Sequence, residues 1–447
     1  MSGSTYLTSN FTGTGSSTGD KATYSVWIKR TDPAGDTRST VISADGGDGN
    51  NYMKIRFADD DKFHIYGLHS GSANFSIYTD KQFRDTNAWF HLVFHIDTTH
   101  ATESERVKIW INGESISFSG TMPSQNHPIL ILKMDDMEIG RNAQADNEHF
   151  DGYMSHFHCC HGYLYAPTTF GSTDSVTGEW KINTNPSVSY GTKGWFIFKD
   201  NASVTDQSGN GNSFTAAGGG LTKSEDNPSN VFATCNSLVN NNTALDYGNG
   251  NNTITTSGQW LGTTASLGMF KGKYYWEFKC TGNFMTGVSQ LETNAVQTDY
   301  LNTANTGYSS RSATGYEIIN GGNKSNNSSS SSYGPSYSNG DIGMVAFDAT
   351  NGTLWFGKNG TWSNSATQTE IENGTTGNAA YTGLTNSDGY IPTMSIENST
   401  LYFNFGNGYF GTTAVSSAGT NASNIGIFEY NVPAGFTALC TKGLNSF

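Results

Sequence analysis

The stretch Asp341–Trp362, DIGMVAFDATNGTLWFGKNGTW, decides how this chain is read. Met344 and Ala346 alternate with Val345 and Phe347, the two-residue period of a half-buried strand. Asn351-Gly352 follows and signals a two-residue hairpin, because both central positions of such a turn take positive φ. Leu354, Trp355 and Phe356 form the return strand, and Lys358-Asn359-Gly360 turns the chain again. Large apolar groups occupy both faces of that strand: Trp355 shares one with Gly357, and Leu354 shares the other with Phe356. One face of a sandwich strand meets the core. The second is therefore expected to carry a cover: the 321–340 segment, the C-terminal tail or a neighbouring subunit.

The same grammar recurs at 88–114, where AWFHLVFHID is one strand and RVKIWINGE its partner, again with an aromatic-rich return and an Asn-Gly turn. Two such hairpins far apart predict two all-β domains. Composition agrees. Aromatic residues make up 13% and glycine numbers 53, against 9 prolines, in a chain of 447 residues. That mix suits short strands and tight turns, and no segment shows helical apolar spacing. The length calls for two or three domains. A net charge of −14 argues against a nucleic-acid surface, which needs a basic stripe. No apolar run approaches the ~20 residues of a membrane span, and MSGSTYLTSNFTG lacks the features of a signal peptide. The five cysteines, Cys159, Cys160, Cys235, Cys280 and Cys440, have no framework spacing and are expected to be reduced and buried.

Taken in order, SVWIK, AWFHLVFHID, VKIWINGE, MEIG and FDGYMSHFHCCHGYLYAPTTFG form a series over residues 1–171. The series resembles a laminin G-like domain, which implies a concanavalin A-type sandwich of two antiparallel sheets. Its ending, Phe150-Asp151-Gly152-Tyr153 through Pro167 to Phe170-Gly171, resembles the version in virion proteins of marine bacteriophages. Residues 172–231, with GWFIFKDNASVTDQSGNGNSFTA, read as a bridging segment packed on that sandwich, closed by the turn cluster Asp226–Asn230. Residues 232–447 carry GKYYWEFKC, the 341–362 hairpin and YIPTMSI…LYFNFGN, a set that resembles a SPRY domain, again a concanavalin A-type sandwich. Between these strands, the polar run 321–340 is expected to be an exposed loop. The fold class is thus all-β, with two sandwich domains joined by a bridge.

Three groups of residues are candidates for chemistry. His149, His156, His158, Cys159, Cys160 and His161 cluster in sequence. A strand would put His156, His158 and Cys160 on one face and Cys159 and His161 on the other, which cannot close one tetrahedral zinc site. Asp136 and Glu138 share a strand face, as the carboxylates of glycosidases on this sandwich fold do. Here Met134 replaces the first acid of their run, so no catalytic residue is assigned. Asp45 with Asp48, and Asp59-Asp60-Asp61, offer oxygen ligands for Ca2+, the one cofactor considered, although solvated turn acids explain them too. For a ligand, Trp355, Phe356, Tyr333 and Tyr337 are the aromatic candidates for stacking on sugar rings.

The resemblance implies a non-catalytic protein on the surface of a phage virion, assembled in the host cytoplasm. A tail fibre, an appendage or a capsid decoration all fit. Expected partners are other virion proteins, a host-surface glycan or protein, and further copies of the chain, with no nucleic acid and no membrane insertion. A purely architectural role and a glycan depolymerase are the alternatives.

Overall fold

The computed structural model describes residues 5–10, 21–31, 38–132, 136–200, 202–239, 245–258, 260–291, 314–385 and 387–446. Strand accounts for 46% and helix for 5%. No helix among the described residues is long and apolar enough to cross a bilayer. The chain divides into two compact units, Met1–Lys223 and Ser224–Phe447.

In the first unit, two antiparallel sheets enclose one core. The larger runs, edge to edge, through Phe118–Thr121, Ser72–Gln82, Lys62–His69, Tyr52–Phe57, Ser39–Asp45, Asp136–Ile139, Tyr6–Asn10 and Thr215–Ala217. The smaller runs through Trp195–Ile197, Gly152–His161, Lys21–Arg30, Phe90–Asp97, Val107–Ile111 and Glu114–Ser115. The two-residue alternation explains which side chains meet. Leu7, Ile42, Ile55, Ile65 and Ile139 face Val26, Leu92, Phe94 and Ile109 in one buried cluster. Strands at 195–197 and 215–217 extend one edge of each sheet, so this part of the bridging segment belongs to the first unit.

The outer face of the smaller sheet is covered by its own chain. Val93, Cys160 and Phe170 form a second cluster with Trp110, Tyr165, Val188 and Tyr190 packed against it. His91 is buried there between Trp27 and Trp180, with ring centroids at 4.9 and 6.0 Å. Trp180 Nε1 donates to His91 Nδ1 at 3.0 Å, so Nε2 carries the proton and donates to Ser25 Oγ at 2.8 Å. Burial pushes the His91 pKa down to about 3, which keeps this bridge neutral.

In the second unit, the strand Lys273–Gln290 pairs with Ile342–Asp348 along its first half and Gly315–Ile319 along its second. On its other side it pairs with Tyr390–Asn404, and the register shifts at Gly282, where φ is +115°. Trp276, Phe278, Phe284, Val288, Val345, Phe356 and Phe403 fill the core.

The turns of the deciding hairpin differ from the expected pattern. Asp348 pairs with Thr353, so the first connection has four residues, and within it Asp348 accepts from Asn351 N and Nδ2 at 2.9 and 2.8 Å. The two-residue Asn-Gly turn lies one step later: Lys358 pairs with Thr361 around Asn359 (φ 49°) and Gly360 (φ 82°). Asn112 (φ 50°) and Gly113 (φ 81°) make the corresponding turn in the first unit.

The cover of the return strand is the C-terminal tail. Trp355 packs with Tyr275, Met344, Trp362, Phe428, Val432 and Phe436, while Leu354 and Phe356 face the main core. The tail is fixed by Thr437–Ala438, which pairs in parallel with Tyr274–Tyr275, and by Glu277. The Glu277 carboxylate is fully buried and accepts from Glu429 N (2.9 Å), Tyr430 N (2.8 Å), Tyr275 OH (2.9 Å) and Asn404 Nδ2 (3.2 Å). Residues 321–340 are also not a plain loop. Asn323–Asn326 pairs with the exposed Ser329–Ser332, and the chain then buries Tyr333 and Tyr337.

Candidate binding face

The four aromatic candidates for ligand binding are structural. Trp355 and Phe356 are 0% exposed, Tyr333 5% and Tyr337 9%. The tail covers the first of them and the core encloses the other three, so no ring is open to a sugar. Tyr333 and Tyr337 also anchor the chain through their hydroxyls, which donate to Asn378 O and Gly357 O, each at 3.1 Å.

Four of the five acidic candidates for a metal, Asp48, Asp59, Asp60 and Asp61, are committed to other partners. Asp48 caps a turn, accepting from Asn50 N and Asn51 N at 2.9 Å, and those bonds hold its pKa below the usual carboxylate range. Asp59 pairs with Arg38 at 3.3 Å and Asp60 with Lys62 at 3.2 Å. Asp61 is buried between Arg30 (3.0 Å) and Arg84 (2.9 Å). No group of three or more His, Cys, Asp or Glu among the described residues could hold a metal ion. This includes the His/Cys run, whose alternation a bulge between Ser155 and His158 interrupts, with His156 at φ 48°. His158 is fully buried, stacked on Phe196 at 3.8 Å and bonded to Tyr190 OH at 2.9 Å. Phe157 and Cys159 face the core, and Cys160 faces outward under Phe170. Glu138 accepts from Arg141 Nε and Nη2 at 2.7 and 2.5 Å, while the Asp136 side chain lies outside the described residues.

What remains is the outer face of the larger sheet in the first unit. Alternation places Tyr52, Lys54 and Arg56 on it, while Met53, Ile55 and Phe57 enter the core. The next strand adds His64 and Tyr66, directly opposite Arg56 and Lys54, and the third adds Ser76 and Tyr78. Tyr52 and Tyr66 lie 5.7 Å apart, both half-buried, and His64 stacks on Tyr78 at 3.8 Å. Arg56 is held bidentately by Glu148 at 2.7 and 2.8 Å and bonds His64 Nδ1 at 3.2 Å. Burial, with Arg56 adding repulsion, pushes the His64 pKa down to about 3, so its ring is neutral.

Two polar groups lie beside the tyrosine pair, and the charges of Glu148 and Asp45 both attract Lys54. Lys54 Nζ lies 4.8 Å from the centre of the Tyr52 ring, makes no ion pair among the described residues, and has its pKa lowered by burial. Asp45 lies across from Tyr52, and its Oδ1 is buried with no hydrogen-bond partner among the described residues. Aromatic rings flanked by an ammonium and a carboxylate suit a ligand that has both apolar faces and hydroxyls. The signal was present in the alternation of YMKIRF and KFHIYG. It was hidden because aromatic and charged residues on one face read equally well as an ordinary solvated side.

Residues 2–166 match the family model described as the concanavalin A-like lectin/glucanases superfamily, of laminin G type, and residues 273–408 match the SPRY domain model. Among solved structures, the chain is similar to the TRIM65 PSpry domain at 12% identity and a TM-score of 0.29, covering 38% of this chain and 88% of that one. It is similar to stonustoxin at 13% and 0.27, covering 38% and 27%, and to the SPRY domain of human HERC1 at 18% and 0.26, covering 36% and 92%. No curated protein matches the chain.

Proposed function

From a laminin G-like domain followed by a SPRY domain, we propose that this chain is a non-catalytic surface protein of a bacteriophage particle that binds a host-surface glycan during adsorption. Both domains are of kinds that often serve as binding modules. On such folds function is set by the surface and not by the core. The particle assignment is supported by the likeness of residues 150–171 to virion proteins. It implies assembly in the host cytoplasm beside other virion proteins and further copies of this chain. A tail-fibre tip, an appendage and a capsid decoration share this chemistry.

The observation that carries the reading is the Tyr52–Tyr66 pair between Lys54 and Asp45. A pyranose presents C–H faces for the rings and hydroxyls that accept from the ammonium and donate to the carboxylate. A glycan array that includes host polysaccharides tests it. The intact protein is expected to bind, and Tyr52→Ala with Tyr66→Ala to abolish binding while the protein stays folded. Folded protein that binds neither glycans nor host cells favours the architectural role. Reducing ends released from bound polysaccharide, and lost in Glu138→Gln, would make the protein a depolymerase.

A further inference from the structure

We propose that the second unit holds a sugar site of its own, a cavity that takes one neutral sugar residue beside Tyr430. The proposal rests on the glycan-binding reading above and adds a second point of attachment on the same chain. The cavity has a volume of about 390 Å³, within the range of small-molecule sites. Its walls come from the deciding hairpin at Met344 and Gly360, from Gln368 in the short helix Gln368–Glu372, and from the tail at 417–419 and 429–431. Both tail segments lie beyond the SPRY match, which ends at residue 408.

Tyr430 is half-buried, and its ring lies against the Asn359-Gly360 turn: a Cβ on Gly360, where φ is +82°, would come within 3.0 Å of it. The adjoining backbone is fixed, since Glu429 N and Tyr430 N both donate to the buried Glu277 carboxylate. Met344 supplies an apolar wall, and its Sδ accepts from Gly360 N at 3.2 Å.

A pyranose has an apolar C–H face that packs on an aromatic ring, and hydroxyls that both donate and accept. The walls supply partners of both kinds. Gln368 commits its Nε2 to Glu372 Oε1 at 3.1 Å, which leaves its own Oε1 to accept. Asn431 commits its Oδ1 to Thr420 N at 2.8 Å, which leaves Nδ2 to donate. The Ser417 and Tyr430 hydroxyls have no hydrogen-bond partner among the described residues and can do either. Charge selects a neutral sugar. Glu429 lines the cavity, and no lysine, arginine or histidine does so among the described residues. An acidic sugar would meet that carboxylate with no cation to offset it. A simple ammonium, which only donates, would leave the Asn431 amide without an acceptor.

A site for one sugar residue binds weakly, so saturation-transfer NMR on the full chain tests it. The probes are the methyl glycosides of glucose, galactose and N-acetylglucosamine, with glucuronate as the acidic control. Tyr52→Ala/Tyr66→Ala removes the face of the first unit. That chain is expected to keep a signal from at least one neutral glycoside and to give none from glucuronate. Adding Tyr430→Ala should cut the signal at least about fivefold, as for a lost stacking partner, while the chain stays folded. Should that variant fail to fold, Gln368→Ala with Asn431→Ala takes its place and should cut the signal as well. A signal untouched by these changes overturns the proposal, and so does glucuronate bound as well as the neutral glycosides. A signal already lost in Tyr52→Ala/Tyr66→Ala also overturns it, but leaves the functional reading intact. A signal equal in wild type and Tyr52→Ala/Tyr66→Ala, and lost with Tyr430→Ala, upholds this site and counts against the face of the first unit. Silence from every chain overturns this site, and the glycan array then decides the functional reading separately.

Discussion

Glu277 closes the second unit, and its effect depends on pH. Burial pushes its pKa up to about 7, against the four hydrogen bonds that favour the charged form. A carboxyl raised in the folded state stabilises that state fully below the ordinary pKa near 4.5 and loses the contribution as pH rises through 7. The loss is on the order of 3 kcal/mol. Melts from pH 4.5 to 8 should therefore show a decline in the second unit that Glu277→Gln flattens, and parallel curves for the two proteins would refute it. The sequence offered Glu277 only as part of GKYYWEFKC. Its backbone donors lie 152 and 153 residues away, and no local pattern announces them. Trp355 and Phe356 teach the converse. Both were legible as large apolar groups on opposite faces, the second of them under a cover, but which of three candidate covers serves was not, because the tail that packs on Trp355 is remote in sequence. Each change to alanine is expected to cost about 3–5 kcal/mol without altering assembly. Size-exclusion profiles showing that one variant changes oligomeric state while keeping its melting point would revive a neighbouring subunit as the cover.

At the scale of elements, the period of two was the strongest guide. It located the strands at 24–30, 90–97, 273–280 and 342–348. Turn chemistry was partly legible. Asn112-Gly113 and Asn359-Gly360 adopt the two-residue turn, while Asn351-Gly352 does not, because Asp348 captures Asn351 and lengthens the connection. The polar run 321–340 misled because composition reports what cannot fill a core. It does not report that two tyrosines at its end can anchor a hairpin. The strand Gly152–His161 separates Cys159 and Cys160 onto opposite faces, and all five cysteines are buried and free. Melting temperatures should accordingly be equal with and without reductant. A fall of several degrees under reductant would reveal a disulfide that this arrangement forbids.

At the scale of the molecule, the two units reach the same end by different means. Each sandwich has one outer face covered by its own chain, by residues 165–190 in the first and by the C-terminal tail in the second. In the first unit the opposite outer face keeps half-buried tyrosines beside Lys54 and Asp45, the face proposed above for ligand binding. The most direct measurement is the affinity of the intact chain for purified host-surface polysaccharide, compared with that of Tyr52→Ala/Tyr66→Ala. Saturable binding by the first is expected, with at least about tenfold weaker binding by the second, as for loss of ~1.4 kcal/mol or more, and equal melting temperatures. Equal affinity of the two proteins, or no binding by either, would contradict that expectation.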